Sequence, residues 1–174
     1  LPWPAVQEAF RDAGWGTVET GVAHGTLTVV RDGEPLEITT YRTDGTYSDG
    51  RHPDSVTQAS SIEEDLKRRD FTINALMEDV LTGRVLDHFR GLRDLRRGVL
   101  RHVDDRTFPE DPLRVLRGAQ FAARFGFTAA PETIALCRGI DLSALPPERV
   151  EGELRKALLQ AERPSLFFET LRDM

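Results

Sequence analysis

The chain has 174 residues, of which 39% are hydrophobic and 30% are charged, and its formal net charge is −6. This composition is typical of an ordinary soluble globular protein, and the length allows one or two small domains with a hydrophobic core. No apolar run approaches the roughly 20 residues that span a bilayer, and no signal-peptide pattern opens the chain, so we expect no membrane partner.

The net charge and the single cysteine indicate the cellular compartment and the kind of binding surface to expect. Cys137 is the only cysteine, which excludes an intrachain disulfide, fits a reducing cytoplasm and, at an apolar helix position, favours a packing role. The net charge of −6 argues against a surface that is basic throughout, but it allows a local basic groove that binds phosphates. Because the chain begins at Leu1 without a methionine and stops inside an apolar segment, we expect it to be an excerpt of a longer protein.

The first half of the chain predicts an antiparallel sheet preceded by a helix. A helix is expected over Pro4–Ala13, since a proline opens it and a glycine follows it. Strands are expected over Thr26–Val30 and Leu36–Arg42, and the Asp32-Gly33 pair between them is a strong hairpin signal. The stretch Thr43–Val56 is rich in Gly, Asp, Ser and Pro, which predicts an exposed loop.

Beyond the loop, short elements give way to helices. Serines and glutamates at capping-box spacing predict that a helix begins near Ile62, and Asp70 is expected to cap a second short helix that ends at Met77. Two strands are then expected around a polar turn, over Arg84–Phe89 and Gly98–Val103. From Pro109 onward the pattern predicts four helices and no strand. A boundary near Arg97 therefore divides an α+β part, residues 1–97, from an all-α part, residues 98–174.

Glu37 interrupts the apolar pattern of the second predicted strand. It is either a solvent-facing residue of a half-exposed sheet or a carboxylate that binds a hard cation such as Mg²⁺. A neighbouring D-x-D pair would decide for the metal, and none is present. The four histidines have no zinc-ligand spacing either.

The stretch KRRDFTINAL concentrates charge at the entry to an apolar run. In one interpretation Arg68 and Arg69 are surface charges and Asp70 is a helix cap. In the other, the arginines bind phosphate or carboxylate groups and Asn74 acts as a hydrogen-bond donor and acceptor. The residues alone leave both interpretations open.

The stretch EDPLR places Asp111 and Arg114 at i,i+3 spacing on one helix face, with Arg117 a turn further along. Phe121 and Arg124 continue that side. A local ion pair on the surface is one interpretation, and it contributes little to stability. The alternative is that Asp and Arg present a fixed acceptor and donor edge to a nucleobase.

Seven stretches, in order along the chain, resemble the class II tRNA nucleotidyltransferases (the CCA-adding enzymes) and their relatives, the bacterial poly(A) polymerases. They are HGTLTVV, LEITTYR, YSDGRHPD, SSIEEDLKRRDFTINAL, LDHFRGLRDL, EDPLRVLRGAQFAARFGF and ERVEGELRKALL. The resemblance implies an α+β fold in which a nucleotidyltransferase head with an antiparallel-rich sheet, incomplete at its N-terminus, is followed by an all-α neck. It also implies tRNA, ATP and CTP as partners.

The resemblance assigns roles residue by residue. The nucleotide-binding set has three parts: the R-R-D motif for ribose and phosphates, Asn74 as its support, and the base-reading side of the EDPLR helix. Its residues are Arg68, Arg69, Asp70, Asn74, Asp111, Arg114 and Arg117. The head–neck hinge set is Asp87, Gly91 and Leu95. Residues expected to support these motifs are Glu110, Arg149 and Glu153. A flexible loop linked to the switch from C to A addition contains Asp49, Gly50, Arg51 and His52.

One departure from the family pattern concerns catalysis. Glu37 is similar to the third acidic position of the catalytic head, whereas the D-x-D pair that completes the site for two Mg²⁺ ions is absent. The chain as given is therefore expected to be inactive. For the complete protein the resemblance implies addition of CMP, AMP or both to the tRNA 3′ end, as CCA, CC or A. The alternatives are a poly(A) polymerase of the same family and a non-catalytic remnant that binds nucleotide or tRNA.

Overall fold

The computed structural model describes residues 3–21, 26–44, 56–59 and 61–174. The described residues pack as two compact units. The first contains the described residues up to 44 together with 56–65, and the second contains residues 66–174. No helix in the described ranges is long and apolar enough to cross a membrane.

A three-stranded antiparallel sheet forms the centre of the first unit. Its elements are α1 (Trp3–Asp12), β1 (Gly16–Gly21), β2 (Thr26–Arg31) and β3 (Glu34–Thr39), and β2 lies between β1 and β3. The β2–β3 turn has positive φ at both central residues, 52° at Asp32 and 82° at Gly33, as a tight hairpin requires. The predicted helix and hairpin are therefore confirmed, but the second strand ends at Thr39 rather than Arg42, and both ends of the predicted loop Thr43–Val56 lie in further strands.

Two further strands and a helix start complete this unit. The strands β4 (Arg42–Asp44) and β5 (Val56–Gln58) pair antiparallel, and α2 (Ile62–Lys67) follows. The Ser61 hydroxyl accepts a hydrogen bond from the Glu64 backbone N–H at 3.2 Å, which confirms the predicted start of α2. The buried Asp65 carboxylate accepts from the Arg42 backbone N–H at 3.1 Å and joins β4 to α2.

Helices dominate the second unit. Its strands are β6 (Met77–Asp79), β7 (Arg84–Leu86), β8 (Val99–Leu100) and β9 (Thr128–Ala129). Its helices are α3 (Gly91–Arg97), α4 (Leu113–Phe125), α5 (Pro131–Cys137), α6 (Pro147–Gln160) and α7 (Ser165–Asp173). Short 3₁₀ turns occupy Thr72–Asn74 and Phe108–Glu110. The four helices that the sequence predicts after Pro109 are confirmed.

The prediction of a helix from Asp70 to Met77 is wrong. The chain makes only the 3₁₀ turn Thr72–Asn74, because the residues before it pair with a distant segment. Phe71 is extended and bridges His102, and the Thr72 backbone N–H donates to the Arg101 carbonyl at 2.8 Å. Tertiary pairing overrides local helix propensity at this point.

The expectations for residues 84–103 and for strands beyond Pro109 also need correction. The predicted polar turn between the two strands is the helix α3, and the second strand is only β8. This strand pairs in parallel with β9, a strand in the region where none was expected. Two-residue strands carry too few positions for an alternating pattern to reveal them.

The core of the second unit gathers residues from all along it. Phe71 and Phe108 are fully buried and meet edge to face at 5.6 Å between ring centroids. Cys137 belongs to this cluster, and burial raises the pKa of its thiol to about 11. A second cluster joins α4, α6 and α7. Residues on both sides of the boundary expected at 97 pack in this unit, and the division into head and neck stays a prediction.

Candidate functional site

A cavity of about 520 Å³ lies in the second unit, a volume typical of small-ligand sites. Its lining comes from two segments, one before α3 and one that runs into α4, together with one residue of α6. They are Arg68, Arg69, Asp70, Asn74, Asp111, Leu113, Arg114, Arg117, Phe121 and Arg149. All seven residues of the predicted nucleotide-binding set are among them, and what they bind stays a prediction.

Asp70 is the anchor of the first cavity wall. Its Oδ1 accepts from the Phe71 backbone N–H at 2.7 Å and from Asn74 Nδ2 at 2.9 Å. Its Oδ2 accepts from Arg117 Nε at 2.8 Å and lies 2.7 Å from Arg117 Nη2. Asp70 is only 7% exposed, and these bonds compensate for the removal of its carboxylate from water.

Arg117 connects this wall to α4. Its guanidinium carbon lies 5.3 Å from the centre of the Phe121 ring, which is within cation–π range. Held by Asp70 on one side and Phe121 on the other, Arg117 presents a fixed cation to the cavity.

Arg114 is anchored through backbone carbonyls. Its Nη2 donates to the Arg68 carbonyl at 2.5 Å, and its Nη1 donates to the Thr107 carbonyl. The guanidinium is buried, with its carbon 6.0 Å from the centre of the Phe108 ring. A guanidinium has five N–H donors, so these two bonds orient the group and leave three donors.

Asp111 is held by the guanidinium of Arg149, a residue of α6. Arg149 Nη1 and Nη2 donate to Asp111 Oδ1 and Oδ2, each at 3.1 Å, in the bidentate geometry that arginine favours. Asp111 Oδ1 also accepts from the Leu113 backbone N–H at 3.1 Å and so caps the start of α4. Since a carboxylate has about four lone-pair sites, acceptor capacity remains.

The lining is strongly cationic for a chain of net charge −6. It contains five arginines and two aspartates, a formal excess of three positive charges. Such a concentration of guanidinium groups around a concave surface attracts anions such as phosphate.

The predicted hinge residues lie at the start of α3, outside the cavity lining. The Asp87 carboxylate caps this helix by accepting from the backbone N–H groups of Gly91 at 2.6 Å and Leu92 at 3.2 Å. Gly91 is buried against Thr72, whereas Leu95 is 44% exposed. Whether the segment acts as a hinge stays a prediction.

The supporting residues are divided between different places. Arg149 lines the cavity, whereas Glu110 and Glu153 are outside its lining. Glu110 ends a 3₁₀ turn and is exposed. Glu153 is 4% exposed on α6, and its Oε1 accepts from Lys156 Nζ at 2.8 Å.

Glu37 lies in the first unit, exposed on β3 and paired across the sheet with Thr28. Among the described residues there is no group of three or more His, Cys, Asp or Glu side chains that could hold a metal ion. These residues therefore do not form the two-metal site that the resemblance implies. The loop residues Asp49, Gly50, Arg51 and His52 lie outside the described residues.

Two polar residues of the second unit that no sequence motif indicated also make buried or bridging contacts. Asp94 is 1% exposed, and its carboxylate accepts from the Thr72 hydroxyl at 2.9 Å and from Arg101 Nε at 3.0 Å. It joins α3 to the turn that carries Asn74. Thr107 contacts both Lys67 and Arg114. No spacing signal points to either residue, since the Asp94 bond to Thr72 and the Thr107 bond to Lys67 span 22 and 40 positions.

Residues 4–101 match the family described as the Poly A polymerase head domain. This match covers more than half of the chain, so the chain belongs to that family of nucleotidyltransferases.

Individual relatives are CCA-adding enzymes. The CCA-adding enzyme of Leuconostoc mesenteroides is 43% identical over 97% of this chain and 43% of its own length. The Bacillus stearothermophilus CCA-adding enzyme in complex with CTP is 36% identical over 90% of this chain and 38% of that one, with a TM-score of 0.77. A tRNA nucleotidyltransferase complexed with a primer tRNA and an incoming ATP analog is 30% identical, with a TM-score of 0.71, over 98% of this chain and 48% of that one. The chain spans less than half the length of these relatives.

Proposed function

We propose that this chain is the nucleotide-selecting part of a tRNA nucleotidyltransferase that adds CMP, AMP or both to the tRNA 3′ end. The observation that carries the proposal is the cavity, where the R-R-D segment and the Asp111–Arg114 pair face the same space. Family membership and the CTP and ATP-analog complexes of its relatives support it.

The cationic wall of the cavity suits a nucleoside triphosphate. Arg68, Arg69 and Arg117 provide guanidinium groups for the phosphates, and Asp70 with Asn74 offers hydrogen-bonding groups for the ribose. In the reaction, the tRNA 3′-hydroxyl oxygen bonds to the α-phosphorus, the hydroxyl proton is lost, and pyrophosphate leaves.

Base choice follows from the chemistry of one acceptor beside one donor. Cytosine and adenine each present an exocyclic amine next to an unprotonated ring nitrogen. The amine donates to the Asp111 carboxylate, and the ring nitrogen accepts from an N–H of Arg114 that the backbone carbonyls leave available. Uracil and guanine present a carbonyl and a ring N–H at the same places. Their carbonyl oxygen would face the Asp111 carboxylate, and their ring N–H would face the Arg114 guanidinium, so neither hydrogen bond could form.

Nucleotidyltransferases of this kind generally use divalent metals. Glu37 is our candidate for one carboxylate ligand of Mg²⁺, and one carboxylate alone does not make a metal site. A tRNA substrate and a single buried cysteine suit a cytoplasmic protein.

The test uses the full-length protein and three tRNA transcripts: one without the CCA end, one that stops after the first C and one that lacks only the terminal A. Each is incubated with CTP, ATP, UTP or GTP alone, and addition is read on a sequencing gel. We expect CMP, AMP or both, with UMP and GMP added at least a hundredfold more slowly. Absence of any addition to tRNA would contradict the proposal.

The second candidate is a poly(A) polymerase, because the matching family is described by that enzyme's head domain. Long adenylate tails on an unstructured RNA primer, with no preference for tRNA, would favour it. Growth that stops after the CCA end favours tRNA end addition.

A further inference from the structure

Thr107 lies between the two segments that form the cavity, in the chain just before the 3₁₀ turn Phe108–Glu110. Its position is fixed by Asp104, whose Oδ1 accepts from the Thr107 backbone N–H at 3.1 Å and from the Arg106 backbone N–H at 2.9 Å. This side-chain turn holds Thr107 in one orientation. Thr107 itself is outside the cavity lining.

The two polar groups of Thr107 point in different directions. Its hydroxyl donates to the Lys67 carbonyl at 2.5 Å, and its own carbonyl accepts from Arg114 Nη1. Lys67 is the last residue of α2, and carbonyls in the last turn of a helix lack a partner within the helix. The Thr107 hydroxyl therefore caps α2 immediately before the R-R-D motif.

Arg114 completes a ring of contacts. Its Nη2 donates to the Arg68 carbonyl, the next carbonyl along from the one that Thr107 caps. The guanidinium is thus held by two carbonyls, those of Arg68 and Thr107. The Thr107 hydroxyl sets the distance between these two carbonyls, because it ties its own residue to Lys67.

We propose that Thr107 is a positioning residue for base selection, an inference that rests on the proposed function of the cavity. Thr107 acts through Arg114. Its hydroxyl fixes the position of its own carbonyl, to which Arg114 Nη1 is bonded, and the fixed guanidinium directs its remaining N–H donors at the ring nitrogen of the base. It also makes the ribose-binding and phosphate-binding segment and the base-reading arginine one rigid assembly. Recognition by hydrogen bonds tolerates errors of only about 0.5 Å, so a loosened anchor reduces discrimination before it abolishes addition.

The experiment compares variants of the full-length protein in single-nucleotide addition. Thr107→Val removes the hydroxyl and keeps the side-chain shape, whereas Thr107→Ser keeps the hydroxyl. Thr128→Val is the matched control, since Thr128 is an exposed residue of β9 outside the cavity lining. For each protein we measure KM and kcat for CTP and ATP, the rate of UMP and GMP addition, and the Tm.

We expect Thr107→Val to increase UMP and GMP addition relative to CMP and AMP about tenfold, and to raise KM about threefold. Its kcat for the correct nucleotides should stay within twofold of wild type. Thr107→Ser and Thr128→Val should match wild type in all of these. If Thr107→Val does not fold, Asp104→Ala tests the same anchor by releasing the turn that orients Thr107, and the same loss of discrimination is expected.

Two results would overturn the proposal. One is wild-type discrimination in a folded Thr107→Val or Asp104→Ala protein. The other is an equal loss of rate with all four nucleotides accompanied by a lower Tm, which would mean that Thr107 only stabilises the fold. Failure of the wild-type protein to add CMP or AMP to tRNA would instead remove the proposed function, and so the two failures are distinguishable.

Discussion

Gly91, at the start of α3, lies against the backbone of the Thr72–Asn74 turn. A Cβ built there would lie 2.1 Å from the Thr72 carbonyl oxygen, 2.9 Å from its carbonyl carbon and 3.1 Å from Leu76 Cδ2. Two of these neighbours are backbone atoms, which cannot rotate away. In the variant Gly91→Ala, α3 must therefore move away from the Thr72–Asn74 turn by about 1 Å to reach ordinary contact distance.

The cost follows from what such a movement breaks. Overpacking against well-packed neighbours costs about 1–3 kcal/mol, and a backbone neighbour places this case at the upper end. The movement also stretches the buried hydrogen bond from the Thr72 hydroxyl to Asp94, which contributes about 1 kcal/mol. The sum is about 3–4 kcal/mol, which corresponds to a Tm decrease of roughly 12–18 °C for a unit of about 110 residues.

The assay is thermal unfolding of the full-length protein followed by near-UV circular dichroism, with CTP binding measured on the same samples. Gly152→Ala is the matched control, because Gly152 lies in α6 with no atom within 4 Å of the added Cβ. It should raise stability by about 0.5–1 kcal/mol. We also expect Gly91→Ala to weaken CTP binding, because the displaced turn carries Asn74. A Gly91→Ala protein whose Tm stays within 2 °C of wild type would refute the close approach.

Two other predictions concern Arg149 and Cys137. Arg149→Lys replaces the planar guanidinium by a point charge, so Asp111 loses its fixed orientation, and UMP and GMP addition should increase about tenfold in single-nucleotide assays. Arg138→Lys, at an exposed position, is the control and should leave UMP and GMP addition unchanged. Unaltered selectivity in Arg149→Lys would argue against the base-reading role of Asp111. Burial raises the pKa of the Cys137 thiol in the folded chain to about 11 from 9.0, so folding disfavours the thiolate. Stability should therefore fall by roughly 2 kcal/mol as the pH rises from 9 to 11. Denaturant unfolding over this range should show the loss in wild type relative to Cys137→Ala, and a constant difference between the two proteins would contradict it.

Local chemistry was the part of the fold that the sequence could predict. The Asp32-Gly33 hairpin and the start of α2 each depend on residues within a few positions of one another. The turn Thr72–Asn74 could not be predicted in this way. Its extended approach is imposed by pairing with Arg101 and His102, some 30 positions away, and apolar residues at Phe71 and Ile73 suit a helix or a strand equally well.

The candidate site shows a similar division. Motif resemblance selected residues that the fold brings to one cavity, although it could not predict their partners. Arg114 lies 46 residues from Arg68, and it binds a backbone carbonyl, which every residue has. Side-chain identity therefore carries no information about that contact, and the same reason hid Thr107. Arg149 was expected only as support, because nothing in its own segment indicates that it reaches Asp111.

Asp111 and Arg114 line the same cavity, and in the structure each is held by a different partner. If Asp111 and Arg114 were bonded to one another, their polar edges would be consumed and a base would have to break the pair. Instead, Arg149 holds the Asp111 carboxylate, and two backbone carbonyls hold the Arg114 guanidinium. Each group is therefore oriented by a residue outside the pair. Each keeps hydrogen-bonding capacity for a ligand. If the cavity selects nucleotides as proposed, a site arranged in this way binds a base with little reorganisation, which favours discrimination by hydrogen-bond pattern over discrimination by size.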